Sequence, residues 1–131
     1  MDTLFIERTK VSPEVALNKE ENTFRIAGRS LVEDPGKFYM PVYNWLEKYI
    51  ENPNDQTQFE FDLEYFNSSS ARQIMKLIIL LEDIQKAGKE VQIKWLYEEG
   101  DDMSRERGEE IAAVSKIEFD IEEYSGEDFD V

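Results

Sequence analysis

The chain of 131 residues contains no cysteine and no histidine. Without cysteine there is no disulfide, no thiolate nucleophile and no cysteine-bound metal. Without histidine, the usual zinc ligand and the commonest general base are both missing. Cations are scarce as well: 15 Lys and Arg stand against 30 Asp and Glu, a formal net charge of −15. A field of that sign repels phosphate backbones and anionic lipid, which argues against a nucleic-acid binder or a peripheral membrane protein. The densest apolar stretch, Ile74 to Leu81, contains Lys76 and is far too short to span a bilayer. The N-terminus has no basic region followed by an apolar run, so no secretory signal is expected. These absences predict a soluble, cytoplasmic, acidic protein with no cofactor, metal or catalytic residue to assign.

What is present suffices for a core. Hydrophobic residues make up 40% and aromatics 12%, more than a disordered chain carries. A chain of this length forms one domain and buries roughly two-thirds of its unfolded surface. That domain is expected over 1–124, with an acidic, mobile tail at 125–131.

The pattern centres on Thr57 to Lys89. Phe59, Phe61, Leu63 and Tyr65 alternate with Gln58, Glu60, Asp62 and Glu64, which predicts a strand with four apolar side chains on one face and the acids on the other. After Phe66, Asn67 and the serines Ser68, Ser69 and Ser70, the spacing of Ile74, Leu77, Ile78, Leu81 and Ile84 predicts a helix that Gly88 closes. Ser70 and Gln73 have the S-x-x-Q spacing of a capping box, which would place Ser70 at the cap and Ser68 just before the helix.

Around this unit, Val15–Lys19 and Thr23–Ser30 flank a polar turn and read as a hairpin. Val42, Trp45, Leu46, Tyr49 and Ile50 form a helical stripe, whose start is signalled both by Asp34-Pro35 and by Pro41. Val91, Ile93, Trp95 and Tyr97 alternate as a strand, 103–114 follows as a helix weakened by Gly108, and Ile117, Phe119 and Ile121 give a last strand. Every strand is apolar on one face only. That predicts an α/β fold with a mixed sheet, its N-terminal hairpin antiparallel and its later strands parallel, helices on one face and the other face largely open.

The acids Glu60, Asp62 and Glu64 read as a solvated face, and Glu98, Glu99, Asp101 and Asp102 as a charge-rich turn that does not fit a calcium loop. An acidic enzyme or metal-binding protein built on such carboxylate clusters is the alternative function class. The serine turn admits two readings. In one, a serine caps the helix, worth roughly 1 kcal/mol. In the other, a hydroxyl is a phosphorylation switch, since a phosphate at a helix start adds roughly −1.5 to −2 charges without unfolding the domain.

At these residues the chain resembles a family. Tyr65-Phe66-Asn67-Ser68-Ser69-Ser70 leading into an apolar helix looks like the phosphorylation turn of the SiaC-type regulatory phosphoproteins of bacteria. The helix bearing Pro41, Trp45, Leu46 and Tyr49, the glycine Gly88 and the strand through Trp95 and Tyr97 also find counterparts there. More distantly, the layout is similar to STAS-type anti-sigma-factor antagonists, which implies a STAS-like mixed sheet. The resemblance implies a non-enzymatic switch: a serine/threonine protein kinase modifies the second residue of the motif, a PP2C-like phosphatase reverses it, and the unmodified form binds and activates a diguanylate cyclase. Carried onto this chain, the acceptor is Ser68, with Tyr65, Phe66, Asn67, Ser69 and Ser70 around it. The better-known pattern has threonine where this chain has Ser68.

Overall fold

One-sided strands and amphipathic helices resolve into a six-stranded sheet whose spatial order follows the chain, β1-β2-β3-β4-β5-β6. The computed structural model describes residues 1–125. The strands are β1 (Leu4–Ile6), β2 (Glu14–Asn18), β3 (Thr23–Ser30), β4 (Gln56–Phe66), β5 (Glu90–Glu98) and β6 (Glu118–Tyr124). Helices α1 (Pro35–Tyr49), α2 (Ser68–Lys86) and α3 (Asp102–Val114) link the last four. β1 to β3 form an antiparallel meander, and β3 to β6 run parallel, each joined to the next through one helix. Tyr124, the last residue of the expected domain, closes β6; residues 126–131 of the expected tail lie outside the described residues.

All three helices cover the same sheet face. Phe24, Ile26, Phe59, Phe61, Leu63, Ile93 and Trp95 point toward them and are buried. Trp45 of α1 meets Phe24 edge-on at 6.0 Å, α1 lies against α2, and the Trp95 indole donates to the Ser104 carbonyl of α3 at 3.0 Å. No helix among the described residues is long and apolar enough to cross a membrane.

α1 begins at the first of its two start signals. Asp34 accepts from the Lys37 amide at 3.1 Å and Pro35 occupies the first turn, where its missing N–H costs nothing. Pro41 lies inside the helix. Gly88, at φ +85, ends α2 in the conformation that favours glycine. Gly108 sits in α3 for want of space: a Cβ there would lie 2.6 Å from the Trp95 ring.

The open face is charged, but not uniformly solvated. Arg25 of β3 bridges Glu14, Glu60 and Asp62 across three strands, and Lys94 pairs with Glu122. Glu64 is exposed as expected, whereas Glu60 and Asp62 are half-buried under Arg25. Burial holds the Asp62 carboxyl above the usual carboxylate range, against the lowering pull of the Tyr124 hydroxyl and Arg25.

One expectation fails in β4. Alternation puts Tyr65 on the apolar face, but it is 49% exposed and Phe66 is buried instead. Gly28 pairs with Leu63 and Arg29 with Tyr65, so β4 carries one extra residue, Glu64, at that step. Such a bulge reverses the alternation beyond it. Its partner strand has Gly28 at φ +121, a backbone conformation that other residues rarely adopt.

Candidate functional site

The bulge aims the end of β4 into α2, and the serines fall in the first turn of that helix. Asn67, not Ser70, is the cap. Its backbone is extended and its side chain accepts from the Ser70 amide at 2.9 Å. The capping-box expectation for Ser70 and Gln73 is therefore corrected. Asn67 is itself a strong cap former three residues before Ser70, and that spacing was the signal the S-x-x-Q pattern masked.

The consequence is that Ser68, Ser69 and Ser70 are all helical and point in different directions. Ser70 is fully buried: its hydroxyl donates to the Ser30 carbonyl at 2.9 Å and accepts from the Ser30 hydroxyl at 2.8 Å. The Ser30 hydroxyl is also 2.7 Å from the Tyr39 hydroxyl. Burial pushes the Tyr39 hydroxyl up to about 12, opposed by its hydrogen bond with Ser30. A buried hydroxyl chain thus ties the end of β3, the start of α2 and the middle of α1. Ser68 and Ser69 are exposed. The structure leaves Tyr65, Ser68 and Ser69 exposed and Asn67 half-buried where β4 meets α2, and withdraws Phe66 and Ser70 from the surface.

α3 supplies the neighbouring wall, which the sequence pattern did not single out. The Arg107 guanidinium lies 4.7 Å over the Phe66 ring centroid. Met103, 57% exposed, lines a cleft with Tyr65, Phe66 and Arg107. A broader groove of about 670 Å³ runs between α1 and α2, with Met40 and Ile79 exposed in it.

The acidic clusters acquire local explanations. Asp101 caps α3 by accepting from the Ser104 amide at 3.1 Å, and Asp102 belongs to the first turn of that helix. Among the described residues, no three acidic side chains are grouped so that they could hold a metal ion.

With this geometry in place, comparison with known proteins adds relatives. A profile of the SiaC family, described as SiaC family regulatory phosphoprotein, matches residues 6–124. An uncharacterized protein of Pseudomonas aeruginosa (strain UCBPP-PA14) is 24% identical over 122 residues, or 93% of this chain and 97% of that protein. The structure of SiaC of Pseudomonas aeruginosa matches with a TM-score of 0.86 at 23% identity, over 95% of this chain and 100% of that one. A chain in the crystal structure of the diguanylate cyclase SiaD in complex with its activator SiaC, from the same species, matches with a TM-score of 0.86 at 23% identity, over 92% of this chain and 99% of that one. At these identities the structural matches establish a shared fold.

Proposed function

The chain belongs to the SiaC family of regulatory phosphoproteins, and from that membership we propose that it is a non-enzymatic, cytoplasmic switch. Its unmodified form binds and activates a diguanylate cyclase, and phosphorylation of Ser68 blocks that binding. A serine/threonine protein kinase writes the mark and a PP2C-like phosphatase removes it. The partner class is supported by the relative of the same fold that stands in a complex with a diguanylate cyclase as its activator.

Burial withdraws Ser70 from modification, and of the two exposed serines the family resemblance, which places the acceptor second in the motif, selects Ser68. Ser70 is locked by buried hydrogen bonds and Asn67 performs the capping. Ser68 is exposed and makes no side-chain hydrogen bond among the described residues, so a kinase can take it without disturbing the fold. Phosphate there adds roughly −1.5 to −2 charges beside the apolar surface of Tyr65 and Met103, where a docking partner would have to desolvate it.

The test is incubation with the cognate kinase, peptide mapping of the three serines, and an assay of cyclic di-GMP synthesis by the partner cyclase. Label on Ser68, its loss in Ser68→Ala, and activation of the cyclase by only the unlabelled protein are the expected results. Label that persists in Ser68→Ala moves the site to Ser69, and no label in any variant overturns the switch.

A further inference from the structure

With acids outnumbering bases two to one, an arginine without a carboxylate partner is unexpected. Arg25, Arg29 and Arg105 are all paired. Arg8 lies against Gly28 of β3 and attracts the Asp62 carboxylate. Arg72 and Arg107 form no ion pair among the described residues, and both flank the serine turn.

Their placement is specific. Arg107 is held over the ring of Phe66, two residues before Ser68. It lines a cleft with Ala71 of α2, and Ala71 stands three residues beyond Ser68, so one helical turn separates the acceptor from that cleft. Arg72 is exposed four residues beyond Ser68, a spacing that brings Cβ atoms to about 5–6 Å. Ser69 shares its face with Gln73, whose side chain lies toward Gly36 of α1. It therefore points away from α3.

We infer that Arg72 and Arg107 receive the phosphate of a modified Ser68, tying the β4–α2 turn to α3. This rests on the phosphorylation reading above and gives it a structural consequence. A guanidinium presents a planar fork that fits two phosphate oxygens at once, and such charge-assisted pairs are the strong ones. Modification then changes the shape of the surface between Tyr65 and Met103 as well as its charge. Glu106 and Glu110 line the same cleft and oppose a dianion there, so the arginines have to outweigh them.

The experiment installs phosphoserine at position 68 during translation and follows the phosphate by ³¹P NMR as pH is varied. Paired with the arginines, its second pKa should fall roughly one unit below the ordinary value of about 6. Arg107→Gln and Arg72→Gln should each restore part of that shift, and the double variant nearly all of it. Arg72 is exposed, so its variant keeps the test valid if the change at Arg107 disturbs α3. Phosphoserine at 69 serves as a control and should be indifferent to Arg107→Gln. A second pKa at or above the ordinary value, or one that neither variant moves, overturns the clamp. Because no kinase is involved, the measurement is independent of whether a kinase labels the chain; absence of label defeats the switch without touching this result.

Discussion

Asn67, Ser68 and Ser70 have three different roles, and substitution separates them. Ser70→Ala removes two buried hydrogen bonds and leaves the Ser30 hydroxyl short of a partner, a loss of about 1–3 kcal/mol. Asn67→Ala removes the cap and should cost about 0.5–2 kcal/mol. Ser68→Ala, at an exposed position off the cap, should stay within about 0.5 kcal/mol. Urea denaturation of the three variants checks the order; equal losses at Ser68 and Ser70 would remove the basis for assigning them different tasks. Asp62 offers a second residue-scale test. Its carboxyl is raised chiefly by burial, while Tyr124 and Arg25 pull it down. A carboxyl raised in the folded state favours folding at pH below its unfolded value, and that contribution is lost as pH climbs through the folded one. Arg25→Gln removes a lowering influence, so Asp62 should titrate higher still by ¹³C NMR. An unchanged midpoint would show that Arg25 does not act on it.

At the scale of elements, Gly108 sets helix propensity against packing. In an isolated helix, Gly→Ala gains about 1 kcal/mol. Here the added carbon would sit 2.6 Å from the Trp95 indole, a buried ring whose N–H is already committed to Ser104. Overpacking of this kind costs about 1–3 kcal/mol, so Gly108→Ala should lower the melting temperature. A rise would mean that α3 moves off the sheet without penalty. The same closeness explains how α3 reaches Phe66 and the serine turn: a larger residue at 108 would hold the helix away from β5.

For the whole molecule, a net charge of −15 imposes self-repulsion that only local pairs relieve. The Arg25 cluster and the Lys94–Glu122 pair lie on the open sheet face, while most of the other acids among the described residues form no ion pair. Raising salt from about 10 mM to about 150 mM shortens the screening length from roughly 30 Å to roughly 8 Å. The melting temperature should therefore rise with sodium chloride over that range. A fall would show that the attractive pairs outweigh the repulsion.

Composition and periodicity alone determined much of this protein. Alternation in β3, in β5 and in β4 as far as Leu63 set which side chains face the helices, and the threefold and fourfold spacings from Ile74 to Ile84 set the buried face of α2, because both depend only on local backbone geometry. Asp34-Pro35 and Gly88 marked helix ends for the same local reason. The exposed serine at 68 was also legible, as was the family, from the short motif beside it. What the sequence could not decide came from contacts between distant segments. The bulge that turns Tyr65 outward depends on how β4 pairs with β3 at Gly28. The burial of Ser70 depends on Ser30, forty residues away. Half-burial of Asp62 depends on Arg25, and the position of Arg107 over Phe66 depends on α3 closing onto β5 through Gly108. Local pattern fixes the face a residue points to; only packing decides what meets it there.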